Sequence, residues 1–143
     1  MIAKPTYFDL QELVCPDVFN KFGDFAWNFL DPRLLLTLDR IRAKLNKGII
    51  VNNWSEGGSY DQRGLRCLLC PIVKAKYDSL YMSAHLLGKA VDFDVQGLVA
   101  EEVREWILKY KTLWPYPIRL EKGVSWVHLD VYDAGEKVYQ FNP

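Results

Sequence analysis

The first third of the chain alternates short apolar pieces with helix breakers, and the last third alternates side chain by side chain. Over residues 7–30, Phe8-Asp9-Leu10-Gln11-Glu12-Leu13 and the stretch from Phe19 to Phe29 flank Pro16. This predicts one or two short helices that carry aromatics onto a core. Asp31-Pro32 reads as a helix start, with Asp as N-cap and Pro in the first turn. Leu34, Leu35, Leu38, Ile41, Ala43 and Leu45 then recur at helical spacing until Asn46-Lys47-Gly48. Ile49-Ile50-Val51 is a short buried strand, residues 52–64 are loop, and residues 65–78 are expected to include a helix. Ala90-Val91-Asp92-Phe93-Asp94-Val95 alternates apolar and acidic side chains with the period of a half-buried strand. From Val99 to Thr112 the spacing is helical again, with Val103, Trp106, Ile107 and Tyr110 on one face and Pro115 and Pro117 beyond its end. Strands are predicted at 118–121, 126–131 and 137–141. Helices first and short-linked strands later imply α+β, an antiparallel sheet with helices packed on one side.

Composition changes this picture little. The 143 residues are expected to form one domain, 1–143, long enough to bury a full core. Eighteen basic and eighteen acidic side chains cancel, which argues against a polyanion-binding surface and hence against nucleic acid as a partner. No apolar run approaches the roughly 18 residues of a membrane span. Met1-Ile2-Ala3-Lys4-Pro5 lacks the apolar stretch of a signal peptide, so synthesis in the cytoplasm is the expectation. The chain is expected to be a monomer. Cys67 and Cys70 form a C-x-x-C with apolar flanks, and Cys15 precedes Pro16. Without a second pair, all three read as small buried hydrophobes rather than a redox pair or a zinc knuckle.

The chemistry lies in the two histidines. On a strand, Asp92 and Asp94 share a face, as do His128 and Asp130. If the two strands pair, an acid and a histidine become neighbours, and Gly88 lets the loop carrying His85 turn back onto them. Ser83 is placed to hold that loop. Two imidazoles and a carboxylate supply three positions of a tetrahedral zinc and leave the fourth open. Asp94 is the alternative to Asp92.

The motif Ser83-x-His85-x-x-Gly88-x-Ala90-x-Asp92, followed by Trp126-x-His128, resembles that of the M15 zinc peptidases. These include D-Ala-D-Ala carboxypeptidases, D-alanyl-D-alanine dipeptidases and phage peptidoglycan endopeptidases, and share their core with hedgehog signalling domains. The resemblance implies a hedgehog/DD-peptidase-like fold and one Zn²⁺ per chain held by His85, Asp92 and His128. It also implies a peptidoglycan stem peptide as partner; the small size, without a signal peptide or cell-wall-binding module, suggests a phage or prophage source. The enzyme would then act on the cell wall after release or export. A general base is expected a few residues before the last histidine. Glu121 is the first choice, and Asp130 is the rival with an alternative role of orienting His128. Family members that bind a substrate carboxylate place an arginine after an early strand. Here the loop offers Arg63, then Arg66, with Ser83 as a further substrate contact and Trp54, Tyr60 and Tyr81 as candidate cleft walls. The competing reading is a binding or structural protein that keeps fold and metal without turnover.

Overall fold

The computed structural model describes residues 3–143. The order along the chain is α1 (Leu10–Leu13), α2 (Pro16–Phe22), a 3₁₀ segment (Gly23–Phe29), α3 (Pro32–Leu45), β1 (Ile49–Ile50), α4 (Pro71–Lys74), β2 (Ala90–Val95), α5 (Ala100–Lys109), β3 (Ile118–Glu121), β4 (Val127–Asp130) and β5 (Val138–Phe141). The protein is therefore α+β. No helix among the described residues is long and apolar enough to cross a membrane.

Helix α3 has the predicted ends for the predicted reasons. The Asp31 carboxylate accepts the Arg33 amide at its start, and Asn46 adopts a left-handed φ of 51° at its close. Its buried stripe is Leu34, Leu35, Thr37, Leu38 and Ile41. The helix expected within 65–78 is the single turn of α4. Residues 65–70 are drawn off to other partners, with Leu65 bridging Val14 and the Arg66 amide donating to the His85 carbonyl (3.1 Å). Helix α5 stops at Lys109, short of Thr112. Trp114 folds back under it and donates its indole N–H to the Ile107 carbonyl (2.9 Å), while Tyr110 faces outward.

The five strands form one sheet in the order β1-β2-β4-β3-β5. All pairs are antiparallel except β3 with β5, which is parallel, so the expected purely antiparallel sheet is corrected to a mixed one. The cause is steric. Both edges of β4 are taken by β2 and β3, so the chain leaving β4 crosses β3 and docks on its free edge.

Alternation divides the sheet into two chemically distinct faces. Val91, Phe93, Val95, Val127, Leu129, Ile118, Leu120 and Val138 join the buried residues of α3 and α5 in one core. Asp92, Asp94, His128, Asp130, Arg119 and Glu121 fall on the opposite face. Asp92 sits directly across from His128, and Arg119 across from Asp130. The β3–β4 ladder ends at the Leu120–Leu129 pair, so Glu121 lies just beyond it. Glu121 in turn pairs with Phe141, whose ring lies 5.8 Å from that of His128.

The segment with His85 reaches this face by docking Gly88 against the start of α3. Gly88 has φ +67°, and its carbonyl accepts the Asp31 amide (2.9 Å). A Cβ there would lie 1.8 Å from the Phe29 carbonyl oxygen. Gly88→Ala is therefore expected to cost about 3 kcal/mol or more, combining left-handed strain with a backbone clash. Gly97→Ala, also at positive φ but with nothing within 4 Å of its Cβ, is the control and should cost markedly less. Urea unfolding midpoints of the two variants provide the comparison.

Candidate metal centre

His85, Asp92 and His128 each offer a donor atom, and these atoms all lie within 4.8 Å of one another. The Asp92 carboxylate bridges the two imidazoles. Its Oδ1 is 2.8 Å from His128 Nδ1 and its Oδ2 is 3.3 Å from His85 Nε2. The rings meet edge to face with centroids 5.2 Å apart. A tetrahedral zinc with bonds of about 2.1 Å holds its ligand atoms about 3.4 Å apart, so this group has dimensions that fit such an ion.

The remaining ring nitrogens are also engaged, and these contacts set the tautomers. His85 Nδ1 is 2.9 Å from the Gly64 carbonyl oxygen, which can only accept, so Nδ1 carries a proton and Nε2 faces Asp92. His128 Nε2 is 3.0 Å from Asp130 Oδ2. Asp130 is itself fully buried and gripped by both Arg119 Nε and Nη2 at 2.9 Å. The chain Arg119–Asp130–His128 thus orients one imidazole, as carboxylate–histidine partners do around metals.

Burial and hydrogen bonding act in opposite directions on these groups. Burial alone would push the Asp92 carboxyl upward, but hydrogen bonds from His128 and His85 hold it well below the usual carboxylate range. Burial likewise opposes charge on His128. Contacts with Asp130 and Asp92 outweigh it and raise His128 to about 9. Asp130 follows the same logic, with burial overridden by His128 and Arg119, and its carboxyl is lowered.

Beside the triad lies a cleft of about 390 Å³, with Asp92, Asp94, Arg63, Arg66, Tyr60 and Trp126 among its lining residues. Beyond the short β1, the outer edge of β2 is met by the loop that carries the arginines, and the Asp92 amide donates to the Arg63 carbonyl (2.7 Å). Arg63 pairs with Asp94 at 3.0 Å and stacks on Tyr60 at 4.2 Å. Arg66 reaches Asp92 Oδ2 at 3.2 Å and the Tyr81 hydroxyl at 3.4 Å. Both arginines therefore face the cleft, tethered by side chains of the opposite sign.

Several expectations are revised by these positions. Asp94 is the partner of Arg63 and stands outside the triad. Asp130 has both oxygens occupied and no solvent exposure, so it is placed to orient His128 rather than to receive a proton from water. Ser83 Oγ accepts the His85 amide (3.2 Å) and holds the loop; it is not part of the cleft lining. Trp54 points elsewhere, donating to the Val14 carbonyl (3.0 Å) and packing on Phe19. Glu121 is half-buried on β3 beyond the end of the β3–β4 ladder and, like Ser83, is not part of the cleft lining.

Sequence reading missed Arg119, Asn52 and the Gly64 carbonyl, and it named Trp126 in the motif without placing it in the cleft. Asn52 is buried, accepts the Arg63 amide (2.9 Å) and donates to the Val14 carbonyl (3.1 Å), which fixes the arginine loop. Only for Arg119 was there a signal, an arginine two positions before Glu121 on a strand of the same alternation.

The chain matches no model of a protein family, no curated protein and no solved structure. Its class therefore rests on the site itself, a buried His-Asp-His group able to hold a metal ion beside an arginine-lined cleft.

The orienting role of Asp130 has a measurable consequence. Asp130→Asn keeps the shape but removes the charge that holds His128 Nε2–H and Arg119. Zinc affinity, read by competition with a chromogenic chelator, is expected to fall about 10–100-fold. Unchanged affinity would mean that the Arg119–Asp130–His128 chain serves packing alone.

Proposed function

We propose that this protein is a zinc-dependent peptidase that hydrolyses a D-amino-acid-containing peptide bond of bacterial peptidoglycan, as a carboxypeptidase or endopeptidase, on a hedgehog/DD-peptidase-like fold. The observation that carries the proposal is the His85-Asp92-His128 group at the edge of a cleft faced by two arginines. The substrate class comes from the resemblance of the Ser83–Asp92 and Trp126–His128 motifs to the zinc peptidases.

His85 Nε2, an Asp92 oxygen and His128 Nδ1 would hold the ion. Zinc, when bound there, supplies a Lewis acid that polarises a carbonyl and acidifies water to a pKa of about 7. Asp130 and Arg119 keep the His128 ring in the plane its Nδ1 requires, and the Gly64 carbonyl does the same for His85. Glu121 takes the proton from the attacking water and passes it to the leaving amine. Glu121 is half-buried on β3, one residue beyond the Leu120–Leu129 pair of the β3–β4 ladder, which leaves its carboxylate open to solvent. Arg63, with Arg66 behind it, grips a substrate carboxylate, exchanging part of its contact with Asp94 for a bidentate pair. Tyr60 and Trp126 provide apolar walls for the flanking residues of the peptide.

The test is hydrolysis of purified muropeptides by the zinc-loaded chain, with Glu121→Gln in parallel and products separated chromatographically. Release of a D-alanine or of a cross-bridge fragment by the wild-type chain, lost in the variant, supports the proposal. Zinc binding without release of any product from either would leave a metal-holding binding protein instead.

A further inference from the structure

The three cysteines of the chain form a second group of side chains that could hold a metal ion, sharing no residue with the first. Cys15, Cys67 and Cys70 each present a sulfur, and the three sulfurs all lie within 4.8 Å of one another. Cys67 Sγ and Cys70 Sγ are 4.0 Å apart, and all three residues are free thiols. Cys15 and Cys70 are buried, while Cys67 is partly exposed. Tetrahedral zinc with thiolate bonds of about 2.3 Å sets sulfurs about 3.8 Å apart, and a trigonal ion of the same bond length sets them about 4.0 Å apart. The cluster therefore needs only a small contraction to close on an ion.

Sequence alone argued against this site because C-x-x-C lacked a second pair. The fold supplies the missing thiol from 52 positions away. The Cys15 amide donates to the Leu65 carbonyl (3.1 Å), and the Leu65 amide donates to the Leu13 carbonyl (2.8 Å), a short parallel bridge that brings Cys15 up to the pair. The turn at 67–70 is itself closed by the Cys70 amide on the Cys67 carbonyl (3.1 Å), and the Cys67 amide faces Cys70 Sγ at 3.4 Å. Gly64 leaves no slack beside the bridge, since a Cβ there would stand 2.2 Å from the Leu13 carbonyl oxygen.

We propose that Cys15, Cys67 and Cys70 form a three-thiolate site for a soft d¹⁰ cation such as Zn²⁺, reached from solvent past Cys67. Soft thiolates select ions of this kind over Mg²⁺ or Ca²⁺. The ion would tie the N-terminal segment to the loop that carries Arg63 and Arg66. Arg66 is the residue next to Cys67, and its guanidinium touches Asp92. The site is thus a clamp beneath the candidate substrate-binding arginines, chemically separate from the histidine centre.

The experiment uses the full-length His128→Ala chain, in which the histidine centre has lost a ligand, loaded with Co²⁺ and separately with Zn²⁺. Thiolate-bound Co²⁺ gives a near-ultraviolet sulfur-to-metal charge-transfer band that imidazole and carboxylate ligands do not give. The expected result is that band at one ion per chain, together with protection of three thiols from alkylation by stoichiometric Zn²⁺. Cys67→Ser, which alters the most exposed ligand, should weaken Zn²⁺ binding by at least the roughly 10–100-fold that loss of an outer partner costs. Absence of the band, or three thiols alkylated at the same rate with and without Zn²⁺, in both the variant and the wild-type chain, would overturn the proposal. Neither result depends on whether the histidine centre binds zinc or cleaves a peptide.

Discussion

The His128→Ala chain is expected to bind one zinc fewer than the wild-type chain when both are loaded and analysed by native mass spectrometry. Three ligands with an open fourth position define a catalytic zinc, and two do not retain it. Asp92 would keep only His85 as an imidazole partner, while the Arg119–Asp130 pair stays closed on itself and preserves β3–β4. That pair is why the variant should still fold, which far-ultraviolet circular dichroism can verify. Asp92→Ala should lose the same equivalent of zinc for a second reason, because it removes the acid that stands between both rings and leaves the Arg66 charge facing them without its acidic partner. If both variants carry as much zinc as the wild-type chain, the His85-Asp92-His128 group is a buried hydrogen-bond network and the peptidase proposal falls with it.

Glu121→Gln is expected to lower kcat for muropeptide cleavage by about 10²–10⁴, the range for loss of a positioned acid–base group, with KM little changed. The amide matches the carboxylate in size and cannot accept the proton. Glu121 makes no part of the three-donor group, so zinc content should be unaltered. This split between chemistry and metal content separates a proton-transfer role from a structural one. A kcat within a few-fold of wild type, at full zinc occupancy, would remove Glu121 as the base. Asp94 would then be the next carboxylate to examine, since it lines the cleft and is partly exposed.

Local structure was legible where the determining forces are local. Asp31-Pro32 and Asn46 bounded α3 because capping and the left-handed turn act within a few residues. The alternation in 90–95 and 127–130 placed Asp92 and His128 on polar faces because a strand repeats every two residues, whatever its partner. The helix expected within 65–78 is present as α4, but local propensity carried no information about Leu65 bridging Val14 or Arg66 bonding His85.

By itself, then, the sequence determined the α+β succession, the ends of α3 and the two sheet faces, each of which follows from periodicity or capping, while the candidate ligands His85, Asp92 and His128 came from the resemblance of their motifs to the zinc peptidases. Tertiary structure decided the register that sets Asp92 against His128, the parallel docking of β5, the grip of Arg119 on Asp130 and the meeting of Cys15 with Cys67 and Cys70. These are contacts between segments far apart in sequence. They are selected by which strand edges remain free and which apolar surfaces must be covered together, and no local pattern encodes that choice.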